Sequence, residues 1–267
     1  MNSLLPLRAV GLLGGTFDPV HEGHLTIARA VSAHFGLSQV RLIPARVPVH
    51  RATPMADARH RLAMLWLAVA PYPELVIDTR EIDSQQQNYT LWTLQSLRAE
   101  QPDAALLWII GEDAFAQLPG WYRWQELFDA AHFVVINRGG TNPCSSSAAS
   151  PFDKPPPAFG EFPLSKEGKT GARREQDWGE AGVKSDALPE ILQKVVASRL
   201  TEDKHALTSR SAGLVCHLTL PPQPASGTQI RAALAVGCAD TITDLLPASV
   251  LAYIARHALY QVKTHGS

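Results

Sequence analysis

Eleven residues near the start of the chain, Gly14-Gly15-Thr16-Phe17-Asp18-Pro19-Val20-His21-Glu22-Gly23-His24, concentrate groups that can hold an anion. They follow a short apolar run, Ala9 to Leu13, and lead into apolar residues at helical spacing (Leu25, Ile27, Ala28, Val31, Phe35). The segment therefore sits where a buried strand hands over to a helix. In an open α/β sheet, ligands bind beyond the carboxyl ends of the strands. A helix N-terminus there presents free amides and a partial positive charge. Gly14 and Gly15 would let the backbone approach a phosphate, with Thr16 and Phe17 beside them. His21 and His24, three apart, would face the opening from the first helical turn and donate to phosphoryl oxygens. Taken singly, His21 reads as a helix cap and His24 as a surface residue. The Gly-Gly pair and the strand-to-helix position favour phosphate binding. A zinc protease needs its histidines at i and i+4 with the glutamate between them, so this i, i+3 pair predicts no metal ligands.

A second constellation lies far along the chain, Ser226-Gly227-Thr228-Gln229-Ile230-Arg231. Ser226 can cap a helix whose free amides face outward, and Arg231 supplies a planar fork for phosphate oxygens. Lysine is absent from the first 153 residues, which excludes a Walker-type Gly-Lys loop there and leaves His, Arg and backbone amides for phosphate chemistry. The net charge of −1 gives no electrostatic reason to expect nucleic acid or an anionic membrane as partner. No run approaches the roughly 18 apolar residues of a membrane span. The N-terminal apolar stretch reads as a first strand and not as a signal peptide. Three cysteines, Cys144, Cys216 and Cys238, have no metal-ligand spacing and suggest a reducing cytosol.

These segments need a scaffold, and the apolar pattern supplies one. Strands are expected at Ala9–Leu13, Val40–Ile43, Leu75–Ile77, Ala105–Ile110, His132–Ile136 and Leu214–Leu220. Helices are expected at Gly23–Phe35, Ala56–Val69, Thr90–Arg98, Pro189–Leu200, Gln229–Val236 and Ala248–Ala258. This alternation predicts βαβ units and a parallel sheet, in an order the sequence does not reveal. Residues 139–187 break the pattern, with 7 Gly, 6 Pro and 6 Ser among 49 and only Leu164 and Val183 as branched aliphatics. Such a stretch cannot bury enough apolar surface to offset its ordering entropy, and it is read as a flexible, disordered insertion. A length of 267 residues suggests nearly two domains at about 150 residues each. The insertion absorbs the excess, leaving one domain over 1–267 with a small helical C-terminal part at 226–260.

The two constellations together resemble the signatures of the nucleotidyltransferase superfamily, TFDPxHxGH and a Ser/Thr-rich turn leading into Ile-Arg. Further segments narrow the resemblance to bacterial nicotinate-nucleotide adenylyltransferases. They are Ile43-Pro44 with Val47-Pro48-Val49-His50-Arg51, Asn88-Tyr89-Thr90, Ile109-Ile110-Gly111-Glu112-Asp113, Pro119-Gly120-Trp121-Tyr122, and Asp244-Leu245-Leu246-Pro247 running on to Leu259-Tyr260. The resemblance covers roughly residues 8–138 and 188–260. It implies a Rossmann-like, doubly wound parallel sheet. It also implies adenylyl transfer from ATP to nicotinate mononucleotide, giving deamido-NAD and pyrophosphate without a covalent enzyme intermediate. His21, His24 and Arg231 would then be catalytic. Gly14, Gly15, Thr16, Phe17, Ser226, Thr228, Gly111 and Asp113 would bind ATP, with Asp113 suited to ribose hydroxyls. Tyr89, Thr90, Trp121 and His50 would bind the acceptor, Trp121 by stacking on the pyridine ring. Mg²⁺ would be held mainly by the ATP phosphates. Two departures fall on the acceptor side: Val49 replaces the second proline of a Pro-Pro-His element, and Arg46 stands where a small polar residue is common.

Other readings are available. A relative acting on phosphopantetheine fits Trp121 and the Tyr89-Thr90 pair poorly, whereas acid and amide forms of the mononucleotide are not separated by spacing. A class I aminoacyl-tRNA synthetase shares a His-x-Gly-His motif but would need a lysine-rich loop and a basic surface. A non-catalytic nucleotide-binding regulator would not need His21, His24 and Arg231 together. Neither chain length nor composition fixes the oligomeric state.

Overall fold

In the computed structural model, the structure describes residues 7–47, 53–138, 188–222 and 224–261. The 139–187 insertion with Cys144 lies outside these residues, and so does His50. The chain runs β1 (Ala9–Gly15), α1 (Glu22–Phe35), β2 (Val40–Pro44), α2 (Ala58–Val69), β3 (Leu75–Ile77), α3 (Arg80–Asp83), α4 (Thr90–Glu100) and β4 (Ala105–Gly111). It continues with α5 (Glu112–Ala116), α6 (Leu127–Ala130), β5 (His132–Arg138), α7 (Glu190–Val196), α8 (Lys204–Ser209), β6 (Val215–Leu220), α9 (Gly227–Ala235) and α10 (Ala248–Arg256).

The six strands form one sheet in the order β3-β2-β1-β4-β5-β6, every neighbouring pair parallel. The chain winds outward from β1 to β3 and then returns to the centre with β4. The topological switch point therefore lies between β1 and β4. Strand residues alternate between two cores. On β4, Leu107 and Ile109 join Leu25 of α1, Met64 of α2, Ile230 of α9 and Val250 of α10. Leu106, Trp108 and Ile110 face the other way, with Leu94 of α4, Phe115 of α5, Leu127 of α6 and Leu192 of α7. Burial on both faces is why β4 reads as an unbroken apolar run, and helices on both faces make the sheet a doubly wound, Rossmann-like one.

Departures from the expected boundaries have local causes. Helix α2 starts at Ala58 because the Asp57 carboxylate caps it, accepting the His60 N–H at 2.9 Å. Helix α9 starts two residues early because Ser226 Oγ accepts the Gln229 N–H at 3.2 Å. Helix α7 stops at Val196, and Leu200 is drawn into a parallel bridge with Val215. Helices α3, α5, α6 and α8 have at most six residues, too few to show a period in the sequence.

Candidate active site

Two helix N-termini converge at the carboxyl edge of the sheet beside the switch point. The Glu22 N–H of α1 donates to Leu245 O, and Arg231 of α9 donates through Nη1 to Asp18 O at 2.7 Å. The second guanidinium nitrogen of Arg231 lies 3.4 Å from Thr228 Oγ1, so Ser226, Thr228 and Arg231 gather at one helix start. On α1, His21 and His24 form a reciprocal capping box, and their rings stack with centroids 3.7 Å apart. The His21 N–H donates to His24 Nδ1 at 3.3 Å. With Nδ1 as acceptor, a neutral His24 carries its proton on Nε2, the nitrogen available to a phosphoryl oxygen. Capping and phosphate binding are thus compatible roles for this pair. Burial raises the pKa of the Glu22 carboxyl between them, with Arg29 opposing.

The turn that delivers these groups is tightly packed. Phe17, buried and edge-on to His24, has a backbone φ of 49°. A non-glycine residue held there costs about 1–3 kcal/mol and persists only where its surroundings over-determine it. Gly14 and Gly15 help to do so by what they lack. A Cβ on Gly14 would lie 2.8 Å from the Trp108 ring, and one on Gly15 would lie 3.1 Å from Phe17. Close approach within the protein, as well as room for a ligand, thus favours glycine at both, most strongly at Gly14. Gly111 differs. It ends β4 and caps α5, and a Cβ there would meet nothing within 4 Å. The β1–β4 register ends with Leu13 level with Ile109. Exposed Asp113 sits in the first turn of α5 just beyond.

Three residues to which the sequence reading gave no role hold this turn. Arg61 of α2, 1% exposed, donates to Thr16 O at 2.6 Å, Ala45 O at 2.7 Å, Arg46 O at 2.8 Å and Ala56 O at 3.2 Å. One guanidinium thus ties the ends of β1 and β2 to the start of α2. Burial pushes its pKa down, and Asp18 leads the charges that oppose this. The Asp18 carboxylate accepts the Met55 N–H at 2.8 Å, the Ala56 N–H at 3.1 Å and the Tyr260 hydroxyl at 2.8 Å. Burial first, and then that carboxylate, hold the Tyr260 phenol protonated well above its ordinary range. With three donors on Asp18, the most obvious acid of the motif is structural. Among the described residues no group of three or more His, Cys, Asp or Glu could hold a metal ion. The sequence did carry a signal for Arg61, a charged residue in register with the buried α2 positions Met64, Leu65 and Ala68.

Of the acceptor residues expected from the sequence, Tyr89, Thr90 and the loop of Trp121 lie together, and His50 falls outside the described residues. Thr90 opens α4, with Tyr89 as its N-cap. The Tyr89 ring stacks on Tyr122 at 4.5 Å, which joins the Asn88-Tyr89-Thr90 segment to the Trp121-Tyr122 loop. Trp108 and Trp124 are buried, whereas Trp121 is half-buried and Tyr122 is 40% exposed. Arg46 reaches the same region, donating to Ser84 O at 2.8 Å and Gln85 Oε1 at 3.0 Å. Cys216 and Cys238 are free thiols, one buried in the core and one exposed.

The family model described as cytidylyltransferase-like matches residues 12–233. A protein of Laribacter hongkongensis named "probable nicotinate-nucleotide adenylyltransferase" is 39% identical over 97% of both chains. One of the same name from Halorhodospira halophila is 37% identical over 92% of both. The solved nicotinic acid mononucleotide adenylyltransferase of Plasmodium falciparum, complexed with NaAD, superposes with a TM-score of 0.61 at 14% identity, covering 95% of this chain and 97% of that one. At that identity the superposition speaks for the fold. Family model and relatives lead to one conclusion: the chain belongs to the nicotinate-nucleotide adenylyltransferase family.

Proposed function

We propose that this enzyme transfers the adenylyl group of ATP to nicotinate mononucleotide, a step of NAD biosynthesis. A phosphate oxygen of the mononucleotide attacks the α-phosphorus in line. The bond to the bridging oxygen of the β-phosphate breaks, and deamido-NAD and pyrophosphate leave. No covalent enzyme intermediate is needed, so catalysis consists of positioning and charge stabilisation.

The observation that carries this reading is the meeting of the α1 and α9 N-termini at the β1–β4 switch point, with the stacked histidines on one and Arg231 on the other. His24 Nε2 is the donor for the charge that develops on the α-phosphoryl oxygens, with His21 and the Thr16 and Phe17 amides beside it. Arg231 and Thr228 hold the β- and γ-phosphates that depart, at the helix start capped by Ser226. Gly14 and Gly15 form the floor, and Gly111 and Asp113 take the ATP ribose. Tyr89, Thr90, Trp121 and His50 receive the acceptor, Trp121 by stacking and Thr90 through its hydroxyl and the free amides of α4. Mg²⁺ would be held mainly by the ATP phosphates, where it would supply charge neutralisation. The three-cysteine composition, without metal-ligand spacing, fits a reaction in the cytosol.

Purified enzyme incubated with Mg-ATP and each acceptor separately tests the proposal, with dinucleotide and pyrophosphate as readouts. Dinucleotide should form fastest from nicotinate mononucleotide. Preferred turnover of nicotinamide mononucleotide or phosphopantetheine would overturn the acceptor, and ATP binding without turnover of any of them would favour a regulator.

A further inference from the structure

Glu81, in α3, is buried and yet its carboxylate has only neutral hydrogen-bond donors. Oε1 accepts the Thr93 hydroxyl at 2.6 Å, and Oε2 accepts the Asn88 side-chain amide at 3.1 Å. The same amide donates to Glu81 O at 2.9 Å, so Asn88 is latched twice to one residue. Neighbouring Arg80 turns away to Asp78 and Glu100. Burying a carboxylate without an ion pair is costly, and what this one achieves is geometric. Thr93 lies in the first turn of α4 and Asn88 on the chain entering it, so Glu81 fixes both sides of Tyr89 and Thr90. Arg46 holds the other end of the same segment through Ser84 O. Glu81, Asn88, Tyr89, Trp92 and Thr93 line one cleft beside the helix start.

We infer that Glu81 is a positioning residue for the acceptor. Through Asn88 and Thr93 it sets the pose of Tyr89 and Thr90 without touching substrate, and its shape matters more than its charge. This rests on the proposed role of Tyr89 and Thr90. A glutamine can make the same bonds, its carbonyl accepting from Asn88 and its amide donating to Thr93 Oγ1.

Steady-state kinetics of Glu81→Ala, Asn88→Ala and Glu81→Gln, with Trp121→Ala as a reference, test the inference. Losing the latch should raise KM for nicotinate mononucleotide about tenfold, the scale of one lost hydrogen bond, and leave KM for ATP within about twofold. Glu81→Gln should stay within about twofold of the parent for both substrates. Asn88 is half-buried, and its variant carries the test if Glu81→Ala fails to fold. An unchanged acceptor KM in the folded latch variants, or a parallel rise in both KM values, overturns the inference. If Trp121→Ala raises acceptor KM while the latch variants do not, only Glu81 loses its role. If Trp121→Ala also leaves that KM unchanged, the acceptor assignment itself fails.

Discussion

The two walls of the candidate site are built differently. The phosphate wall is pinned from beneath by buried polar groups: four carbonyls on Arg61, three donors on Asp18, and glycines whose missing side chains are filled by Trp108 and Phe17. The acceptor wall is built from half-exposed side chains that lean on one another, Tyr89 on Tyr122 and Arg46 on the Ser84–Gln85 backbone and amide. A step that must align an attacking oxygen with a phosphorus tolerates little displacement, which the first construction serves. Choice of acceptor depends on which shapes and groups a surface presents, and the second construction can vary these without disturbing the sheet.

The largest expected effect follows from Arg61. Replacing it with Met leaves four carbonyls, one buried and three part-buried, without their Arg61 donor, and the loss should reach about 3 kcal/mol, read from urea unfolding at unchanged m value. Arg46→Ala, its counterpart on the acceptor wall, should cost less than about 1 kcal/mol. Equal losses would erase the distinction between the walls. Next comes His24→Ala, which should lower turnover at least roughly 10²-fold, the scale of one preorganised transition-state donor. Its stability should fall by no more than about 1 kcal/mol, the scale of one helix cap. Near-normal turnover would remove His24 from the mechanism.

Smaller again is Trp121→Ala. Losing one ring stacked on a base-like ring should raise acceptor KM about tenfold and leave KM for ATP unchanged. An ATP effect of the same size would mean that the acceptor wall extends under the nucleotide.

The difference between the walls also explains what could be read from the sequence. The strands and the longer helices were legible because each carries its period, and β3 is found at Leu75–Ile77 as expected. The candidate phosphate residues stood out because they lie close together in two short segments. What holds them in place was legible only in part, since the α2 period marks Arg61 as buried but not what it binds. Tyr260 is 242 residues from the Asp18 carboxylate that it caps, and Arg61 is 45 residues from Thr16. Hydrogen bonds across such separations leave no pattern in a single sequence. Strand order is of the same kind, since β1 and β4 are neighbours only because the winding reverses. Glu81 had neither spacing nor composition to mark it, as its partners are a loop amide and a helix hydroxyl.

His132 supplies a perturbation remote from both walls. It starts β5 at the amino edge of the sheet, fully buried, opposite the edge that carries the site. Its Nδ1 accepts the Leu214 N–H at 3.0 Å, so its proton sits on Nε2 and is donated to Arg210 O at 2.8 Å. A second proton would have to displace the Leu214 N–H. Burial above all, with the charges of Arg98 and Arg210 adding to it, pushes the pKa of this imidazole down. Above about pH 6.5 the ring is neutral in folded and unfolded chains alike, and it costs nothing. As the pH falls below that value, the unfolded chain takes up a proton that the folded chain refuses, and stability declines. His132→Gln can keep both hydrogen bonds through its amide and cannot titrate. The drop in unfolding free energy between pH 7.5 and pH 5.5 should therefore be smaller in the variant than in the parent, measured by urea titration at each pH, while KM for either substrate stays put. Identical pH slopes would show that His132 is not the group responsible. A shift in either KM would show that the amino edge communicates with the site.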